Sequence, residues 1–267
     1  MPPIIETLFM KFSPSLWSQS VGVIILVSGL FASAVSAAEG EGTPPQLPRR
    51  VVVPKLAGEL RFDGKLDEAV WKKAAVLEPL WTNDAKGAGT ELTTVRVWYD
   101  EAALYLGWIC QDTDIQATFT ERDSKFWEEE VAEFFITSGK LERYFELQWN
   151  PLGGVFDAVI LNSLDADGLS KKMVGKWEFT AEGMRSAVSV VGTVQKSNDT
   201  DEVWQVEVRV PFADLGEAPP KKGDVWRGNF YRFNRTEGKS SELLSWSPTR
   251  LPSFHQPSRF GFIEFGE

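Results

Sequence analysis

The strongest constraint on this chain is a period-two alternation of apolar and polar residues, clearest over residues 144–150. There Phe145, Leu147 and Trp149 point one way, and Tyr144, Glu146, Gln148 and Asn150 the other. Successive side chains of a β-strand project to opposite faces, so one side of this segment is core and the other polar. The same split recurs over 202–210, where Trp204, Val206, Val208 and Val210 oppose Gln205, Glu207 and Arg209. It recurs again over 230–234, where Arg232 and Asn234 share the side opposite Tyr231 and Phe233. Further strands are expected over 94–99, 104–111, 131–137, 155–161, 184–194 and 260–265, separated by Gly, Pro and Asp turns. No stretch longer than about 12 residues sustains a 3.6-residue repeat. The expected fold is all-β: an antiparallel β-sandwich, jelly-roll or immunoglobulin-like, of about ten strands. One short helix is expected over 67–75, with Asp67 as its cap and Val70, Trp71 and Ala74 on its apolar stripe.

Ahead of this pattern, residues 21–37 form an apolar run ending in Val35-Ser36-Ala37, the small-residue pattern read by signal peptidase. A membrane anchor is the alternative, but the run is short and broken by Gly22, Ser28, Gly29, Ser33 and Ser36. Cleavage near Ala37 is therefore expected, with a secreted or periplasmic product and no membrane attachment afterwards. The segment preceding the run is long, and Met10-Lys11 makes a more ordinary start than Met1. Residues 38–54, rich in Glu, Gly, Pro and Arg, read as a disordered linker, and 55–267 as a single domain. A net charge of −10 argues against nucleic acid and anionic membranes as partners. Cys110 is the only cysteine, so the domain relies on its core and not on a disulfide.

Nothing in the chain names a chemistry directly. It has one His and one Cys, with no glycine-rich phosphate loop and no zinc-type ligand spacing, so function must come from a surface. Four segments in order carry a resemblance: Phe62-Asp63-Gly64-Lys65-Leu66-Asp67-Glu68-Ala69-Val70-Trp71; Val95-Arg96-Val97-Trp98-Tyr99-Asp100 followed by Leu104-Tyr105-Leu106; Trp127-Glu128-Glu129-Glu130-Val131-Ala132-Glu133-Phe134-Phe135-Ile136; and Ser245-Trp246-Ser247 with 253–261. Together they resemble family 9 carbohydrate-binding modules over about residues 56 to 265, within the DOMON-like β-sandwiches.

The resemblance implies a non-catalytic module in which two aromatic rings clamp a terminal sugar. Trp127 falls on one clamp position, and Phe254 on the other in place of a Trp. Glu133 falls on the ligand-binding carboxylate and Asn150 on a polar contact. Gln148 replaces an arginine and Arg232 a glutamine, which suggests that the cationic contact has moved between neighbouring strands. The expected function is recognition of a glycan end or small saccharide in carbohydrate catabolism, beside a separate glycan-processing enzyme. Family members carry structural calcium, for which Asp112 and Asp114, or Asp165 and Asp167, offer hard oxygen ligands.

Structural roles stand beside these. Trp127 has a core staple as its structural alternative, Phe254 reads equally as a loop plug, and Arg232 is a ready partner for Glu133, because a lone buried carboxylate is costly. Glu128-Glu129-Glu130 reads as a solvated edge and not as a hydrolase pair. Trp246 is assigned to the core and His255 to the rim of the site. An alternative function, haem binding or complex formation by a sandwich that has lost the sugar, would draw axial ligands from His255, Met173 and Met184. The sequons at Asn198 and Asn234 matter only in a eukaryotic secretory route.

Overall fold

The computed structural model describes residues 45–196 and 198–267. The expected signal peptide and the first part of the expected linker lie outside the described residues. The strands, numbered in chain order, form two sheets. The larger has nine strands, in the order β1 (Arg50–Val53), β14 (Gly261–Phe265), β12 (Val225–Asn234), β6 (Val131–Thr137), β7 (Arg143–Trp149), β8 (Val155–Leu164) and β9 (Ser170–Lys176). β13 (Glu242–Ser245) pairs with β12 and with β3 (Trp81–Thr82). The smaller sheet runs β10 (Arg185–Val191), β11 (Val203–Pro211), β5 (Ala103–Gln111), β4 (Thr93–Tyr99) and β2 (Ala75–Leu77). Every pairing between strands is antiparallel except that of β1 with β14.

This is the expected sandwich with more strands than the alternation revealed. The inner faces meet in an aromatic core where Trp108 lies 5.6 Å from Trp149 and 5.8 Å from Phe230, ring centre to ring centre. Trp246 is buried there, as expected. Among the described residues no helix is long and apolar enough to cross a membrane.

Two local expectations need correction. Residues 50–53, assigned to the linker, are strand β1, with Val53 fully buried. Prolines and charges just ahead disguise a short edge strand whose pairing with β14 needs only extended backbone. The expected helix over 67–75 is a single 3-10 turn, Trp71–Lys73, with Val70 and not Asp67 at its start and no side-chain cap. Asp67 and Glu68 are instead engaged by Arg61. The chain is then drawn into β2, because Trp71 Nε1 donates to Glu207 Oε1 at 3.0 Å and fixes the turn against the outer face of the smaller sheet. Gly64 belongs to the same staple: at φ +81° its N–H donates to Glu207 Oε2 at 3.0 Å, and a Cβ there would meet Val188 backbone at 2.3 Å. The Asp-Gly-Lys signature is thus a requirement for glycine at a close backbone approach.

Between the sheets lies one buried charged network. Arg232 projects from β12 into the intersheet side, completely buried. Its Nε donates to Glu130 Oε1 at 2.7 Å and its Nη2 to Asp112 Oδ2 at 2.8 Å. Nη1 donates to Thr93 Oγ1 and to the Gln111 carbonyl, and Nη2 also to Asn234 Oδ1, so all five guanidinium protons are used. Glu130 is therefore no solvated edge: it is fully buried, and it also accepts from Trp204 Nε1 and the Arg235 N–H. Burial pushes its carboxyl up to about 7 and that of Asp112 to about 6, against the pull of Arg232.

Removing one member strands the others in a dry interior, so Arg232→Ala is expected to cost about 3–5 kcal/mol. Urea unfolding of wild type and variant measures this, and a loss below about 1 kcal/mol would show that the network contributes little.

Candidate functional site

Antiparallel partners share a face, so the sheet register decides which side chains can meet. Glu133 on β6 pairs with Tyr231 on β12 and Gln148 on β7, and Gln148 pairs with Phe156 on β8. One step along, Asn229, Phe135, Glu146 and Ala158 form a parallel row. Both rows face away from the other sheet. This outer face is not open to water. Loops carrying Phe126 and Trp127 on one side, and Phe254, His255 and Phe260 on the other, fold over it and form a second apolar cluster with Phe135, Tyr144, Phe156 and Tyr231.

A cleft of about 490 Å³ is cut into this cluster. Its floor carries Glu133 and Glu146, and rings of Trp127, Phe156, Trp177 and Phe254 line it together with Met173 and His255. Trp127, Phe156 and Trp177 stand mutually edge to face, with centroids 5.5, 5.8 and 5.6 Å apart. Phe254 stacks on Tyr231 at 4.1 Å, and Tyr231 Oη donates to the Phe254 carbonyl. Trp177 is 46 % exposed despite its bulk. Gly175 makes room for it, since a Cβ there would meet the indole Nε1 at 2.5 Å.

The electrostatics of the floor are unusual. Glu133 is 2 % exposed and makes no hydrogen bond or ion pair with any described residue. Burial and the neighbouring Glu146 hold its carboxyl well above the usual carboxylate range. Burial raises Glu146 to about 7, although Gln148 Nε2 donates to its Oε1 at 2.6 Å. His255 Nε2 stands 4.0 Å from Glu146 Oε2, while Nδ1 lies 2.8 Å from Tyr144 Oη. Burial lowers this imidazole to about 4, so at neutral pH it brings no charge. No lysine or arginine is among the lining residues.

The structure therefore brings together Trp127, Phe254 and Glu133, with Gln148 directly behind Glu146. It does not bring Arg232 or Asn150 to the cleft. Arg232 lies on the opposite face of the sheet, one residue out of phase with Tyr231, so it neither partners Glu133 nor inherits a cationic contact from position 148. Asn150 closes the β7–β8 turn: its Nδ2 donates to the Phe119 carbonyl, and its Oδ1 accepts from Leu152 and Gly154 N–H.

The proposed calcium ligands do not fit a metal site. Asp112 is engaged by Arg232, and the oxygens of Asp114 accept from Gln116 Nε2 and Glu237 N–H. Among the described residues no group of three or more His, Cys, Asp or Glu is placed to hold a metal ion. Asp165 accepts the N–H groups of Asp167 and Leu169, as an ordinary turn residue does.

Sequence reasoning missed Trp177 and Glu146 as site residues. Glu146 was legible, since alternation places it beside Gln148. Trp177 lies just past β9, where the unmarked run Lys171 to Lys176 gives no periodic signal. A larger depression of about 1220 Å³ opens beyond Leu243 and Pro252, but no aromatic ring lines it.

The raised carboxyls make stability depend on pH in a defined sense. A carboxyl that holds its proton more tightly when folded stabilises fully below its unfolded value of about 4.3, and that contribution is lost as pH rises through about 7. Between about pH 5 and about pH 8 the melting temperature should therefore fall less in the Glu133→Gln, Glu146→Gln double variant than in wild type. Parallel melting curves would show that the pair carries no such coupling.

Comparison with known proteins agrees with this geometry. The chain matches carbohydrate-binding family 9 over residues 61–265. No curated protein sequence matches it. Among solved structures it resembles a candidate carbohydrate-binding protein from Bacteroides uniformis, with TM-score 0.62 and 18% identity over 81% of this chain and 99% of the other. It also resembles a family 9 module from Caldicellulosiruptor kristjanssonii, solved with cellotriose and with glucose. In both cases the TM-score is 0.56 and identity 13% over 82% of this chain, with 94% and 97% of the other covered. These likenesses carry the fold. The family match spans the Gly64 staple, the β6 segment and the closing loop around Phe254, and on that ground the chain belongs to carbohydrate-binding family 9.

Proposed function

We propose that this chain is a non-catalytic carbohydrate-binding module that holds a glycan end or small saccharide in the cleft over β6, β7 and β8. The observation that supports this most directly is the composition of that cleft, which joins the incompletely buried indoles of Trp127 and Trp177 to two buried carboxyl groups. A pyranose presents apolar C–H faces that pack on aromatic rings and hydroxyls that donate to carboxylates, so the cleft offers a partner for each. Its volume lies within the range of small-molecule sites and suits one or two sugar rings rather than a long chain. The solved family 9 module binds cellotriose and glucose, which is the same chemical class.

Binding without bond cleavage is favoured by the placement of the carboxylates. Hydrolysis needs an acid and a base or nucleophile flanking the scissile bond. Glu133 and Glu146 rise from adjacent strands of one floor and meet a ligand from the same side. The chain would be exported by cleavage near Ala37 and act in carbohydrate catabolism beside a separate glycan-processing enzyme. The haem alternative draws less support. Met184 packs against the intersheet core, away from His255 and Met173.

Titrating mono- and disaccharides while following intrinsic Trp fluorescence tests the reading. A saturable change should appear in wild type and weaken about tenfold or more in Trp127→Ala and in Trp177→Ala, each of which removes one stacking ring. A folded wild-type protein that responds to no sugar would refute it.

A further inference from the structure

We propose that the ligand of this cleft is an amino sugar bearing a free ammonium group, held with its charge over Glu133 and Glu146 and its ring against Trp127 and Trp177. This rests on the carbohydrate-binding reading and specifies the ligand class.

The argument begins with what the floor lacks. Two carboxyls are buried side by side, and a buried carboxylate ordinarily sits beside a cation. Arg232, which could have supplied one, is spent on Glu130 and Asp112 behind the sheet. Arg235 lies over the Phe233 ring, but its guanidinium is committed to the carbonyls of Trp127 and Glu129 and to Ser241 Oγ, and it does not line the cleft. His255 is neutral.

The floor itself carries carboxyl groups and no cationic side chain. Glu133 accepts from no donor among the described residues, its electrostatic surroundings being burial and Glu146 alone, and Gln148 Oε1 is buried without a hydrogen-bond partner. A neutral sugar would supply hydroxyl donors but no charge to offset ionisation of the buried pair, which burial already opposes. An ammonium supplies three donors and the missing charge together. The walls suit the same group, since Trp127 and Trp177 stand edge to face at the cleft with Trp177 46 % exposed, and a cation is attracted to the π-face of an indole. The sugar ring distinguishes this ligand from a simple amine, because the cleft is far larger than an ammonium group.

Calorimetric titration of D-glucosamine, D-glucose, N-acetylglucosamine and choline into the full chain at about pH 7, below the ordinary range of an α-amino group, tests this. The expected result is glucosamine bound at least roughly tenfold more tightly than the other three, one charge-assisted contact being worth about that factor. Glu133→Gln should bring glucosamine and glucose to parity. Its melting temperature reports folding, and Glu146→Gln serves as the second variant if the first does not fold. Glucose or N-acetylglucosamine binding as tightly as glucosamine would overturn the amino-sugar inference and leave the carbohydrate reading intact. Choline binding as tightly would overturn the sugar part of it. No binding of any of the four would overturn the amino-sugar inference, and the carbohydrate reading would stand or fall on the wider saccharide titration.

Discussion

Both faces of the nine-stranded sheet are buried along its central strands β12, β6 and β7, and the character of this protein follows from that constraint. An antiparallel sheet commonly keeps one face wet, where polar residues cost nothing. Here the inner face meets the second sheet, while the outer face is roofed by the loops around Phe126 and Phe254. A buried polar side chain in the middle of β6, β7 or β12 must therefore find partners in a dry place or remain unsatisfied. The two charged groups of sites behave oppositely under this rule. On the inner face Arg232, Glu130 and Asp112 are paired with one another and with their neighbours; on the outer face Glu133 finds no partner among the described residues.

That contrast separates stability from binding. The inner network resembles many buried ion pairs, whose members are costly to break because each charge depends on the others. Burial raises both outer carboxyls, and the proximity of Glu146 raises Glu133 further, so both hold their protons to higher pH than a solvated carboxyl does. Aromatic residues around them are also split between the two tasks. Phe254 is stacked on Tyr231 and nearly buried, so it shapes the wall, whereas Trp177 leaves much of its indole exposed, as a ring waiting for a ligand does.

The alternation over residues 144–150 made one sheet strand and its two faces legible directly, and Glu133, Trp127 and Phe254 could be placed through the resemblance to the family. The misplaced residues share one cause. Arg232 and Asn150 were assigned by motif position, but a site depends on which face a residue occupies once strands are paired, and a register difference of one residue reverses it. Arg232 belongs to the row behind Glu133, and Asn150 lies where the strand has already turned. The short strands β1 and β3 were hidden because two to four residues carry no measurable period.

The sequence by itself determined the sandwich, since period-two patterning and turn residues are local properties that any folded form of this chain must honour. It also determined which residue types were present for a site: indoles, carboxyls and a single imidazole. Only the tertiary structure decided which of them meet. Strand pairing put Glu133 and Glu146 on one floor and sent Arg232 to the other side, and the return of the chain past β9 brought Trp177 over both. Such contacts join residues tens of positions apart, and they are fixed by register and packing, which no local pattern encodes.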